Sequence, residues 1–552
     1  MKLLLITILL SAFCFQYSYA QIITYDTNLA NKYIEQAKQF SKLKKTDSSN
    51  ICYTNASDIY YKLILRSKIK TKLDTTFTER FLDYQNQIVV NLLKKQQFDS
   101  SILVLRQNLK IGISLIGEKN KSVSNSMQLM GRCFRYKSKL DSSLIYYQKS
   151  LQIRLDLFGE NNNTVAAAYN NIGMVYVAKS EYSKALEYYF KDLKITTKLF
   201  GEENISVATS YINISTIYCY KDEYDKALDY LQKALPVYLK NLGPVSNDLA
   251  SLYLNIGNVY INKSEYGKAL EFYQKALNIR LNNYGEKNID VALCYSNIGA
   301  VFNDKAQDDK ALEFYQKALQ IRLEIFGEKQ TDVAATYNNI GLIYEDKAEY
   351  DKALEYLLKA LQIRSELLGS THINMAASYS NIGLIYEDKG DFDNAMEYYQ
   401  KALQIELKRF GENHTTVASS YNNIANTFND KADYSNALEY YYKSLQLRLG
   451  LLGEKNTAVA RSYNNLGSLY RNLKEYDKAI EYFQKALIIR LSLLGTKHTD
   501  VAKSYNNIAS VLELQKKYQE ALKYYQKGLY SNLPDFNDSS DIWDVPVMNS
   551  YL

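Results

Sequence analysis

The chain has 552 residues and a formal charge of +7, a length that could hold several globular domains. Only 4 prolines and a charged fraction of 23% suit a long helical protein. Lysines and glutamates alternate through most of it instead of forming blocks, which excludes a nucleic-acid footprint. Residues 1–20 read as a secretory signal: Lys2 supplies the positive end, and Leu3 to Phe15 is an apolar run too short for a comfortable membrane span. Ser18-Tyr19-Ala20 offers small residues at the usual cleavage spacing, so the mature chain is expected to start near Gln21. It is expected to be exported, to the periplasm or the exterior. Phe13 weakens a lipoprotein reading of Cys14. No other stretch is apolar enough to span a bilayer, so no membrane partner is expected after cleavage. Cys52, Cys133, Cys219 and Cys294 have no close Cys neighbours, and they read as small buried hydrophobes rather than disulfide partners.

Residues 21–75 are expected to be a helical N-terminal cap without a clean repeat. Residues 76–116 read as a degenerate repeat, because Phe98-Asp99-Ser100-Ser101 stands 42 residues before Leu140-Asp141-Ser142-Ser143. A ladder then begins. Gly117, Gly159, Gly201, Gly243, Gly285, Gly327, Gly369, Gly411, Gly453 and Gly495 are each 42 residues apart. Such a period means one supersecondary unit stacked on copies of itself. Residues 117–536 therefore form ten repeats, and the fold class is all-α, an α-solenoid.

The repeat opening at Gly327 shows the plan. After a polar turn, Asp332 is expected as a helix N-cap, in a column with Thr164, Ser206, Asp248, Asp290, Asn374, Thr416 and Asp500. Ala458 breaks that column and should cap poorly. Val333, Tyr337, Ile340 and Tyr344 define one face of a helix A. Gly341 lies beside that face, where a neighbouring helix can approach closely. Ala353, Leu354, Leu357, Ala360 and Leu361 define a helix B, which Gly369 ends in a left-handed C′ position. A tyrosine column, Tyr169 to Tyr505, fills the space between helices. A single repeat cannot bury its apolar face alone; neighbours complete the core.

These residues resemble the tetratricopeptide repeat. The 42-residue period, the glycine turn and the Val-Ala-x-x-Tyr-Asn-Asn-Ile-Gly wording are similar to its kinesin-light-chain class. The His-Pro that this class often carries in the turn lacks its proline throughout. The resemblance implies a right-handed superhelix of helix-turn-helix units, with helices A lining a concave groove that holds protein or an extended peptide.

Little else carries chemistry. His372, His414 and His498 share one turn position, one or two whole repeats apart, so a single metal ion could not touch all three. They read as turn residues interchangeable with Asn288 or Asn456. No nucleophile–base pair, phosphate loop or zinc spacing is present, so neither an enzyme nor a cofactor is expected. In the groove the resemblance points to one polar column: Asn171, Asn213, Asn255, Asn297, Asn339, Asn381, Asn423, Asn465 and Asn507. A primary amide donates and accepts at once, so this ladder could hold a peptide backbone whatever its side chains. The alternative is that these amides tie adjacent helices A together, and both can be true. Ligand choice would come from variable groove positions: Glu345 and Glu387, with Asp346 and Asp388, as an acidic middle, and Arg461, Arg471 and Lys503 as a basic C-terminal part. Ordinary surface charge is the competing reading.

Residues 537–552 read as an irregular tail, with Asn537 where an eleventh glycine would fall. Leu533-Pro534-Asp535-Phe536-Asn537-Asp538 resembles the junction where exported bacterial repeats lead into a CHAT-type peptidase. The expected function is an exported scaffold that binds protein or peptide. Its alternatives are the recognition arm of a CHAT-type peptidase system, whose catalytic part lies downstream or on another chain, and a self-assembling structural protein.

Overall fold

The computed structural model describes residues 26–39, 41–42, 46–66, 72–370 and 372–532. The leader expected over residues 1–20 and the tail over 537–552 lie outside the described residues, as does the junction wording from Leu533 onward. Among the described residues all regular structure is helical, and no helix is long and apolar enough to cross a membrane. Cys52, Cys133, Cys219 and Cys294 are free thiols, three of them buried and Cys219 half-buried.

Ahead of the ladder stand helical residues 26–39, then Thr46–Arg66, Lys72–Lys94 and Phe98–Ile116. From there the chain alternates a helix A with a helix B. The pairs run from Lys121–Tyr136 and Leu140–Phe158 to Thr499–Leu514 and Tyr518–Asn532. The repeat at Gly327 has helix A Thr331–Asp346, 16 residues, and helix B Tyr350–Leu368, 19 residues. Val333, Ala334, Ile340 and Ile343 of the first and Ala353, Leu357 and Ala360 of the second are buried. Ile340 and Ile343 cluster with Ala311 and Tyr315 of the preceding helix B, and Ala353 and Leu357 with Ile382 and Ile385 of the next helix A. The close approach expected at the helix A glycine is present: a Cβ on Gly383 would sit 2.8 Å from the Tyr399 ring of helix B.

Three joints differ from, or refine, the sequence expectation. Helix A is capped two residues earlier than the Asp332 column. Asn120, Asn204, Ser246, Asn288, His372, His414, Asn456 and His498 each accept from the backbone N–H two residues on. The Asp332 column supplies those N–H groups instead. Ala458 is therefore capped after all, by Asn456 Oδ1 at 2.9 Å. The histidines do occupy the asparagine's role, with ring Nδ1 as the acceptor.

The second joint is the ladder itself. Gly327 has φ +72° and ψ −173°, which is not the left-handed helical well but a region open essentially to glycine alone. That explains why no asparagine replaces a rung. The third joint links helix A to helix B. There Ala348 sits at φ 55°, with its N–H on Glu345 O and the Glu349 N–H on Tyr344 O. This is a Schellman ending with alanine where glycine is favoured.

A largely buried arginine column, Arg154, Arg280, Arg322, Arg364, Arg448 and Arg490, stands on helix B beside the next helix A, with Thr196 and Tyr238 in its place in two repeats. Arg448 Nη1 donates to Ala458 O at 3.1 Å and Ser462 Oγ at 2.8 Å. Arg490 does the same to Asp500 O and Ser504 Oγ. No carboxylate pairs with either among the described residues, and burial pushes Arg448 down to about 10. At one place the column reverses charge. Glu406 accepts from Ser420 Oγ at 2.7 Å and burial pushes its carboxyl up to about 7.

By compactness the chain divides into two bodies, Met1–Ala178 with Glu187–Leu199, and Lys179–Leu186 with Phe200–Leu552. The first has a core that includes Phe81, Leu105, Met127 and Met130. The largest core cluster of the second runs from Ala208 to Val301.

Candidate functional site: the face of helices A

One face of the repeats is marked by bonds from one helix A to the next. In the second body Asn381 Nδ2 donates to Asn338 Oδ1 at 2.8 Å, Asn465 to Asn422 at 2.9 Å and Asn507 to Asn464 at 2.8 Å. These three members of the asparagine column therefore spend a donor on the preceding repeat. All nine members, Asn171 to Asn507, are half-exposed, so each keeps an accessible edge. On the same side Asn472 donates to Asn429 Oδ1 at 3.0 Å and Thr427 Oγ1 to Glu387 Oε1 at 3.0 Å.

The carboxylates at the ends of helices A have an unusual environment. Glu345 is pushed up to about 7 by burial, with Asp346 and Asp388 adding like charge, and it shares a hydrogen bond with Asp388. Glu387 is pushed up to about 7 chiefly by burial, against the opposing help of Tyr399 and Thr427. Tyr399 Oη donates to its other oxygen at 2.8 Å. Asp304, Asp346, Asp388 and Asp430, spaced one repeat apart, are all raised, burial being the first cause. These acids close the C-terminal turn of a helix, where negative charge opposes the helix dipole. None has an ion-pair partner among the described residues. On helix B, by contrast, Glu355–Lys359, Glu397–Lys401 and Glu439–Lys443 pair at 2.5–2.6 Å.

Arg471 is half-exposed and Arg461 exposed. Arg461 is close enough to Arg448 and Arg490 to lower both. Lys503 is exposed and faces Asp500 at 3.8 Å. No ion pair joins these three to Glu345 or Glu387 among the described residues, so the basic and acidic groups stay apart.

The first body holds a cavity of about 460 Å³ lined by Asn125, Gln128, Arg132, Arg135, Tyr136, Tyr147, Asn171 and neighbours. Its columns recur: Arg135 stands where Glu345, Glu387 and Arg471 stand in later repeats, and Asn125 where Arg461 and Lys503 stand. The Arg132 and Arg135 guanidiniums lie 5.6 and 4.8 Å from the Tyr136 ring centroid. Arg132 Nη2 donates to Tyr136 Oη at 3.4 Å, which lowers that phenol. Sequence reasoning missed Arg132, Arg135 and Tyr136. The signal was that this first repeat departs from the common wording, with Leu129 in the asparagine column.

The sequence model of the tetratricopeptide repeat matches residues 123–191, 164–240, 248–324, 332–408, 374–450, 416–473 and 458–529, more than half of the chain. The chain belongs to the tetratricopeptide repeat family. No curated protein matches it. Solved tetratricopeptide-like structures do. BtubC (BKLC) from P. vanneervenii is 23% identical over 42% of this chain and 91% of its own, with a TM-score of 0.34. A kinesin-light-chain candidate with nearly identical repeats from Podosopora anserina is 16% identical over 37% of this chain and 96% of its own, TM-score 0.31. The apo form of RapI is 19% identical over 51% and 97%, TM-score 0.39.

Proposed function

We propose that this tetratricopeptide protein is an exported, non-catalytic scaffold that holds a protein or an extended peptide along the face of its helices A. One observation carries the reading. Helix B carboxylates are neutralised by lysines repeat after repeat, whereas those at the ends of helices A from Asp304 to Asp430 have no ion-pair partner among the described residues and are held above their ordinary range. A basic ligand segment would supply the missing charge there. An acidic segment would suit Arg461 and Arg471, or the Arg132 and Arg135 cavity. Within the second body the asparagine column would grip the ligand backbone.

The test is a pull-down from the exported fraction. Wild type is compared with Asp346→Asn/Asp388→Asn/Asp430→Asn and with Asn339→Ala/Asn381→Ala/Asn423→Ala. Loss of partners in the first variant, steeper in low salt, supports the charge reading. Equal recovery from both folded variants removes it. A narrower form makes the array the recognition arm of a CHAT-type peptidase, on the wording of Leu533 to Asp538; the gene sequence after the last codon decides that. Self-assembly is a third form, and a light-scattering mass independent of concentration excludes it.

A further inference from the structure

Within the second body, turns more than 230 residues apart touch in register. Ser180 Oγ lies 3.2 Å from Thr415 Oγ1. One repeat on, Asp222 Oδ2 accepts from Thr457 N at 2.7 Å and Thr457 Oγ1 at 2.9 Å. Beside it Asn456 Nδ2 donates to Tyr220 O at 3.3 Å. One repeat further, Ser264 Oγ lies 3.2 Å from His498 Nε2. The separations are 234 to 236 residues, between five and six repeats. The body therefore coils back onto itself, and the turn after one helix A meets the N-terminus of another.

Two independent columns carry the same signature. At the joint between helix A and helix B, Ser180 and Asp222 are 3% and 8% exposed, while Ala306, Ala348, Gly390, Ala432, Lys474 and Lys516 in the same column are exposed. At the cap of helix A, only His414, Asn456 and His498 are buried. From Ser180 onward residue type follows in part: the joint carries Ser180, Asp222 and Ser264 where contact is made, and Ala306, Ala348, Gly390 and Ala432 in the repeats after them. The first helical position makes the contact at Thr415 and Thr457, where Ile205, Ile289 and Ile373 stand in other repeats and Thr331 is a non-contacting threonine. Asp222 also places its carboxylate at the positive end of helix Thr457–Asn472, a favourable helix-dipole contact.

We propose that this row is a clasp that closes the coil of the second body and governs whether a ligand reaches the face of helices A from the side. We take that face as the inner side of the coil, because successive helices A draw close enough along it to bond to each other. With the coils clasped, an extended ligand enters from an end or waits for the clasp to part. The gating half of this inference rests on the proposed binding function; the clasp itself does not.

The experiment uses the full chain carrying Ser180→Cys and Thr415→Cys. Mild oxidation should yield an intrachain disulfide in a particle of monomer mass. A second variant, Asp222→Ala/Ser264→Ala, should show a larger maximum dimension by small-angle X-ray scattering with helix content unchanged. Failure of the pair to link within one chain, or an unchanged dimension, overturns the clasp. For gating, a decalysine peptide is offered to the linked and the reduced protein, and association should be about tenfold slower when linked, as for binding that needs an opening step. Equal rates overturn gating. Decalysine that binds neither form removes the acidic face as its site and with it the gate, while the cross-link and scattering results still decide the clasp.

Discussion

Glu406 stands in a column that holds arginine at Arg154, Arg280, Arg322, Arg364, Arg448 and Arg490, and Thr196 and Tyr238 in between, and Glu406→Gln tests whether its buried charge burdens the fold. The carboxyl is 7% exposed and its hydrogen bond comes from Ser420 Oγ. Its pKa is pushed up to about 7 by burial, against about 4.3 in an unfolded chain. A group raised in this way contributes stability that is complete below about pH 4.3 and lost as pH rises through about 7. The difference of roughly 2.7 units at 1.36 kcal/mol each sets an upper bound of about 3–4 kcal/mol at pH 8. Glutamine can still accept from Ser420 and carries no charge to desolvate. The variant should match wild type within a few tenths of a kcal/mol at about pH 4, exceed it by about 1 kcal/mol at pH 5 and by up to about 3 kcal/mol at pH 8. Repeat arrays unfold in parts, so the assay is amide exchange across helices Phe392–Phe410 and Thr415–Asp430, with urea melts in support. Glu406→Arg should also fold and lose the pH response, because Ser420 can turn from donor to acceptor as Ser462 does for Arg448. If protection of these helices in wild type is the same at pH 5 and pH 8, the reasoning is wrong.

Gly327→Asn should lose about 1–3 kcal/mol in a denaturant melt, nearly as much as Gly327→Ala, because the rung's ψ is extended; an asparagine as well tolerated as glycine would show the rung to be an ordinary left-handed cap. Ala348→Gly should gain about 1 kcal/mol by relieving a positive φ, and a loss in the melt would refute the strain. His498 is lowered by burial first, with Arg490 and Lys503 lowering it further and Asp500 opposing. A lowered histidine contributes stability that is present above about pH 6.5 and lost as pH falls below it. His498→Asn, the residue found at Asn288 and Asn456, should keep the cap while abolishing that acid loss, as read by exchange in helix Thr499–Leu514.

The period and the wording around each rung made the helix pairs, the stop at each ladder glycine and the close approach at Gly341 legible. These are local consequences of backbone geometry and side-chain size, and they recur in every copy. Helix A's cap was misplaced because Asn288, Ile289 and Asp290 offer two polar side chains two residues apart, and only backbone direction tells that Asn288 faces the free N–H groups; at Gln330 the same position makes no side-chain cap bond. His372, His414 and His498 were legible as turn residues but not as acceptors, since a ring nitrogen is an uncommon cap. The contact between Asp222 and Thr457 was not legible: nothing in a 42-residue pattern says which repeats meet after a full coil. The cavity around Arg132 and Arg135 was hidden for the opposite reason, in a repeat that counts by its period as one of ten alike although its wording departs from theirs.

Each repeat thus has one hinge that is frozen and one that is free. The rung at Gly327 and its fellows accepts no other coded residue without strain, so it drifts in none of the ten copies. The joint from helix A to helix B tolerates Gln96, Ser138, Asp222, Ala306, Gly390 and Lys474 alike. Duplication can lengthen such a chain without disturbing its spacing, and a copy can acquire a new contact by changing a single turn residue.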